Sequence, residues 1–338
     1  MYEIMIQNIL SPVVLFFVLG LFAALVKSDL KFPSALSETL SIFLLVAIGL
    51  KGGIELSKYS LGEVISPVIG TLFLGSILPI VTLLLLKTIK IDKKNAIALA
   101  ATYGSVSIVT YGAAISFLDQ IGTTYEGFMN AMVVLMESPA IIVSLVLLKI
   151  MEQKKSEAHV FSSKTVAFTS PLTTWIDKEV LKEALFGKSI LLLLGALLIG
   201  LVAGEQALPT VQPLFIDLYG SVLILFLLSM GLTAGARLPE VRKHGLQLFL
   251  FGIIMPVVGG ILGVLVGTVI GLSLGGITLM GVLAGSASYI AAPAALRTSV
   301  PDANPSIYLG LALGITFPFN LLIGIPLYYQ LAQWFISF

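Results

Sequence analysis

Gly104-Ser105-Val106-Ser107 in the first half of the chain and Gly285-Ser286-Ala287-Ser288 in the second decide how this sequence folds. Each sits in the middle of an apolar run, where glycine and serine weaken a helix. The wider stretches are Ala101–Gly112, with two glycines and several hydroxyls, and Gly285–Pro293, closed by a proline that has no N–H to give. The two quartets lie 181 positions apart, and three further echoes keep the same order. Gly49-Leu50-Lys51-Gly52-Gly53 matches Gly231-Leu232-Thr233-Ala234-Gly235 at an offset of 182. Gly75-Ser76-Ile77-Leu78-Pro79 matches Gly252-Ile253-Ile254-Met255-Pro256 at 177, and Pro139 matches Pro318 at 179. Four echoes at nearly one offset describe an internal repeat.

The solvent of this chain is lipid. It is 57% hydrophobic and 11% charged, with a mean hydropathy of +1.06. Soluble domains carry about 25% charged residues, and no soluble core of this size could bury so much apolar surface. A net charge of +1 gives no electrostatic case for nucleic acid. Cysteine is absent, which removes disulfides, thiolate chemistry and cysteine metal sites. The two histidines, His159 and His244, lie in polar segments, so a histidine metal site or catalytic dyad is not expected. Met1–Gln7 has no basic residue, so the N-terminus does not read as a cleavable signal.

Apolar runs near 9–27, 35–50, 64–87, 94–118, 125–151, 189–203, 215–235, 245–271, 276–299 and 306–335 predict ten transmembrane helices. The expected fold is therefore an all-α membrane protein of two five-helix repeats, 1–150 and 189–338, with helices broken at mid-membrane. A cytoplasmic loop, 151–188, joins them. Five is odd, so the second copy enters the membrane inverted, as in many transporters. Of the 19 basic residues, 17 fall on one side of this layout and only Lys51 and Lys58 on the other. The positive-inside rule makes the rich side cytoplasmic, with both termini outside. In the loop, the segment Trp175–Leu185 reads either as an amphipathic surface helix or as a plain linker.

A helix broken inside a membrane bares N–H groups at one half-helix end, which suit anions, and C=O groups at the other, which suit cations. The candidate substrate-binding residues are therefore Gly104, Ser105, Val106, Ser107, Gly285, Ser286, Ala287 and Ser288. The competing reading is close packing of small residues. Glu137, next to Ser138 and Pro139, is the one acidic residue placed deep in a span. A charge there costs about 2.5–3.5 kcal/mol on insertion scales, so it marks a site for sodium or a proton, or a neutral carboxyl bonded to a neighbouring helix. Thr110, Tyr103 and Thr316 complete the candidate cation set. Thr316 stands at about the place of Glu137 in the second half, as a ligand or bonded back to its own helix. Asn320 is a ligand or a helix–helix bond. Asn130 lies near an outer, solvated end. Tyr103, Tyr111 and Tyr289 read equally as packing or gates, and Lys51 is expected to snorkel.

Leu296-Arg297-Thr298-Ser299-Val300-Pro301-Asp302-Ala303-Asn304-Pro305-Ser306-Ile307-Tyr308-Leu309-Gly310 resembles the L-R-x-x-x-P-x-A-N-P-S-x-Y-x-G pattern of the sodium-dependent bicarbonate transporter family. Gly104–Ser107, Glu137-Ser138-Pro139 and Ile325-Pro326-Leu327 fit the family in the same order. The resemblance implies ten spans in two inverted repeats and a homotrimer in the bacterial inner membrane. It implies uptake of bicarbonate with sodium, the anion held near the paired serine-rich breaks, and, in some members, inhibition by a PII-like protein. The chain departs from cyanobacterial members at Tyr289, where they carry an acidic residue, and at Glu137, where they carry Asp.

Two transport readings follow. One is a symporter for bicarbonate or another small anion, with sodium as the coupling ion and no cofactor. The alternative is a cation/proton antiporter of related architecture, which would usually carry more intramembrane acids than one. An intramembrane enzyme is not expected, because no histidine lies in a span and no pair of intramembrane aspartates exists.

Overall fold

The computed structural model describes residues 2–89, 91–157, 182, 186–243 and 245–337, and among these it is all helix and turn. The order is α1 (Tyr2–Ile9), α2 (Pro12–Leu25), α3 (Ser34–Leu56), α4 (Leu61–Leu86), α5 (Lys93–Gly104), α6 (Ile108–Gln120) and α7 (Met129–Glu157). Then follow α8 (Lys188–Ala203), α9 (Tyr219–Lys243), α10 (Leu246–Val269), α11 (Leu274–Ala284), α12 (Ala291–Ser299) and α13 (Pro305–Ile336). Apart from Lys182, the segment Trp175–Leu185 lies outside the described residues.

Seven helical runs are long and apolar enough to cross a membrane, or eight if α1 and α2, bent by 58°, form one span. That bend splits the first apolar run at Leu10-Ser11, where the Ser11 hydroxyl caps α2. One of the seven, Lys188–Pro239, is 52 residues long. Between α8 and α9 it passes through short 3-10, α and π turns over 204–217, with Gly204 at φ +55°. The span expected from residue 215 therefore starts inside those turns.

Large apolar side chains are exposed on the outside, among them Leu19, Phe22, Ile69, Phe73, Ile199 and Val269. The interior holds buried Thr82, Thr102, Ser105, Asn130, Glu137, Thr316 and Asn320. The core is still mostly apolar, but the apolar exterior and the polar groups inside follow from the solvent: lipid tails accept leucine as readily as a protein core does, so helices associate through close packing and hydrogen bonds.

Two bodies result. In one, α2 runs along α9 and α3 along α8. Small residues set both crossings: Gly20 and Ala24 face Gly231 and Gly235, and Ala196 and Gly200 face Gly49 and Gly53. A Cβ on Gly20 would collide with the Leu228 carbonyl, and one on Gly200 with the Leu50 carbonyl. The other body packs α4, α5, α7, α10, α11 and α13 together. There Gly75 of α4 lies against Met136 of α7, and Gly252 of α10 against Ile315 of α13.

Candidate functional site

Two helix breaks meet inside the second body. The first separates α5 from α6 at Ser105, Val106 and Ser107, with Ser105 extended at φ −88°, ψ 175°. Ser107 then caps α6, its Oγ accepting from the Thr110 amide (3.2 Å) and the Thr110 hydroxyl (2.8 Å). The second break runs from Gly285 to Ile290. Pro293 lies in the first turn of α12, where its missing N–H costs nothing. It therefore starts the second half-helix and does not break the first.

The breaks are bonded to each other. The Ser107 amide donates to Ser286 Oγ (2.9 Å), and the Ser288 amide donates to the Thr102 carbonyl (2.8 Å). Ser286 Oγ donates onward to the Leu283 carbonyl (3.0 Å), and Ser288 Oγ accepts from the Ala292 amide (3.2 Å). All eight candidate substrate residues are buried. The hydroxyls of Ser107 and Ser288 are used only as acceptors, so their protons are free to point at an anion. Ser105 Oγ and Thr102 Oγ1 are buried without any hydrogen-bond partner. The Tyr289 hydroxyl faces Ser107 but makes no hydrogen bond of good geometry. Leaving a polar group buried and unmet costs about 1–3 kcal/mol. Three such groups beside the N-termini of α6 and α12 form a donor set suited to an oxyanion.

Glu137 is 1% exposed on α7, and its Oε2 has no partner. Three residues on, Ala140 abuts Gly104, the last residue of α5, which also packs on Pro79 of α4. Glu137 thus lies within one helical turn of the first break. The other cation candidates are arranged differently. Thr316 Oγ1 donates to the Gly252 carbonyl (2.6 Å), so the Tyr103 hydroxyl must be the donor in their 2.7 Å bond. Thr316 is therefore bonded to a neighbouring helix and not back to its own. Thr110 is held at the cap of α6.

Other sequence expectations change. Asn130 is 1% exposed, not solvated: it donates to the Gly127 carbonyl (3.0 Å) and accepts from Tyr111 (3.3 Å). Asn320 makes a helix–helix bond to the Gly285 carbonyl (2.8 Å) and accepts from Tyr328, which also reaches the Pro256 carbonyl. Lys51 is half-buried and lines a small cavity with Asn130 and Tyr219, its charge within reach of exposed Asp119. In sequence Thr102 is one hydroxyl among several in its run, and Tyr328 carries no signal within its apolar helix.

A cleft of about 590 Å³ leads to the breaks from the end of the molecule that carries Lys188 and Arg297. One wall is α3, α8 and α9, through Ser37, Ser41, Lys188 and Met230, and the other is Tyr289, Ala291, Ala294 and Leu313. Tyr289 stands between this cleft and Ser107, edge-on to Phe317. At the opposite end of the same interface only about 30 Å³ is open, lined by Ile48, Lys51, Ile115, Asn130 and Tyr219.

The stretch that carries the family pattern runs from the end of α12, where Arg297 lines the cleft, to the start of α13, and its Asn304-Pro305-Ser306 core is a helix cap. The Asn304 side chain caps the Ser306 amide (2.9 Å), Pro305 takes the first helical position, and the Asn304 amide is held by Asn95 of α5 (2.7 Å). Comparison with curated proteins finds no match. The match to a family model is nearly end to end, over residues 12–333, and by it the chain belongs to the Na+-dependent bicarbonate transporter superfamily, a family of transporters.

Proposed function

We propose that this multi-pass membrane protein takes up bicarbonate, or a closely similar small anion, together with sodium, by alternating access in the bacterial inner membrane. One observation carries the reading. Buried hydroxyls without partners surround two crossed helix breaks, at the foot of a cleft that is open at one end of an interface and closed at the other.

The ten-span, inverted-repeat layout is part of the proposal. A helical run of 52 residues would be roughly 78 Å long, over twice the hydrocarbon thickness, so α8 and α9 count as two spans. The broken pair α11–α12 counts as another. The packing supports the repeat. The Gly20–Gly231 crossing maps onto Ala196–Gly49 by offsets of 176 and 182, and the Gly75–Met136 contact maps onto Gly252–Ile315 by 177 and 179. The basic end faces the cytoplasm in this reading, so the open cleft is the inward one and both termini lie outside.

The anion is held by Ser105, Ser107, Ser288 and Tyr289 hydroxyls and by the first-turn amides of α6 and α12. Sodium is held by Glu137 with carbonyls at the C-terminus of α5. Pro79 adds a ligand, because it removes the usual intrahelical donor to the Gly75 carbonyl. Moving an anion inward against a negative interior costs about 2.3 kcal/mol per charge per 100 mV, so accumulation needs a co-transported cation. With both bound the site is neutral, and the two bodies can move past each other. A homotrimer and a PII-like regulator belong to the same proposal, on the strength of the family.

The test is uptake of labelled bicarbonate into vesicles holding the purified protein, with and without an inward sodium gradient. Sodium-driven accumulation supports the proposal. Sodium movement that proceeds equally well without any anion, in exchange for protons, would replace it with the antiporter.

A further inference from the structure

We propose that Lys51, Asn130 and Tyr219 form a second anion subsite, at the closed end of the interface, which receives the anion before it reaches the helix breaks. It rests on the transport reading above and adds a site that lies outside the two breaks.

Three helical segments of the two bodies converge there. Lys51 comes from α3, Tyr219 from the start of α9 and Asn130 from α7, around the roughly 30 Å³ cavity. Two glycines permit the approach. A Cβ on Gly52 would press on the Asn130 side chain, and one on Gly112 would collide with the Tyr219 hydroxyl. That hydroxyl is buried and has no partner, although it could have been turned to solvent or replaced by Phe. Lys51 makes no ion pair within 4 Å among the described residues, although Asp119 of α6 lies within electrostatic reach. A cation, an amide and an unmet phenol O–H around one cavity are the donor set of a small, singly charged oxyanion.

The cavity also has a closed connection inward. Tyr111, whose hydroxyl bonds Asn130 at a long 3.3 Å, sits one turn beyond Ser107 on α6. At this size the cavity holds a water or two, so the subsite fills only when the two bodies part at this end. The 3.3 Å Tyr111–Asn130 bond is then the one to open.

The chain has no cysteine, so one introduced thiol is unique. We would place it at Ile216, which lines the cavity and is half-buried. Right-side-out vesicles of Ile216→Cys would be treated with membrane-impermeant thiosulfonates of equal size, one anionic and one cationic. The anionic reagent is expected to react roughly tenfold faster, and external bicarbonate to slow it. Adding Lys51→Gln should abolish the preference, and adding Lys51→Arg should keep it. No reaction from outside, or equal rates for the two reagents, overturns the subsite. A preference that depends on Lys51 but is slowed by another small anion and not by bicarbonate leaves the subsite standing and sinks the bicarbonate reading instead.

Discussion

Glu137 and Thr316 lie 179 positions apart, at the same place in the two halves of the proposed repeat, and their side chains are met in opposite ways. In the second half, Pro256 cannot donate to the Gly252 carbonyl, and the Thr316 hydroxyl does so instead, at 2.6 Å. Tyr103 then closes the set by donating to Thr316. In the first half, Pro79 denies the Gly75 carbonyl its usual donor in the same way, and Gly75 packs against Met136 and Pro139, the residues on either side of the Glu137-Ser138 pair. The side chain offered there is a carboxylate with one oxygen unmet. A hydroxyl repairs a proline break, whereas in the proposed sodium site a carboxyl and a carbonyl deprived of its usual donor would both serve as hard oxygen ligands for a cation. On the proposed repeat, one copy would serve structure and the other would be left open for the ion.

The sharpest way to break this comparison is at Glu137. Glu137→Gln keeps the volume and removes the charge, and sodium-driven bicarbonate uptake should fall at least ~100-fold, while the melting temperature holds or rises because a buried carboxylate is gone. Uptake that survived within threefold would make Glu137 a structural residue like Thr316. The next effect is at the anion. Ser105→Ala deletes a buried hydroxyl that has no partner, so stability should be unchanged or better. The KM for bicarbonate should rise about tenfold or more, as expected for a lost hydrogen bond to a charged ligand worth roughly 1.5–3 kcal/mol. A drop in melting temperature with an unchanged KM would show that Ser105 packs and does not bind. The opposite pattern is expected at Thr316. Thr316→Val leaves the Gly252 carbonyl and the Tyr103 hydroxyl unmet, which costs about 2 kcal/mol or more, read as a fall in thermal midpoint in detergent. The sodium dependence of uptake should be retained.

Much of this was legible in the sequence, and for a physical reason. Lipid as solvent forces long apolar runs, so the helices announce themselves. A backbone break inside lipid has to be marked by Gly, Ser or Pro, which is how Gly104–Ser107 and Gly285–Ser288 stood out. Glu137 was visible because charge is rare at that depth. Pairing was less visible. That Thr316 would be taken up by Gly252 depends on the crossing of α10 and α13, and no local pattern encodes it. Lys51 reads as a snorkelling lysine because its position on α3 is near a helix end, and only the approach of α7 and α9 shows that it also lines a cavity with Asn130 and Tyr219. The Ala303–Ser306 stretch was the best guide to the family and yet serves as a helix cap. Specific sequence signatures follow unusual backbone demands as well as ligands.

The smallest effect tests where the repaired half ends. In Tyr103→Phe, Thr316 keeps its bond to the Gly252 carbonyl, and the only loss is one donor, 1% exposed and edge-on to Phe251. The ring and its packing stay, so the cost should be about 1 kcal/mol. Uptake and its sodium dependence should stay within twofold of the parent. Tyr103 lies one residue before Gly104, close enough to the first break that its hydroxyl oxygen could instead turn to a bound ion. In that case Tyr103→Phe would weaken sodium activation severalfold while the melting temperature barely moved. Thr316, its partner, would then be drawn into the cation site with it, and the two halves would share the ion.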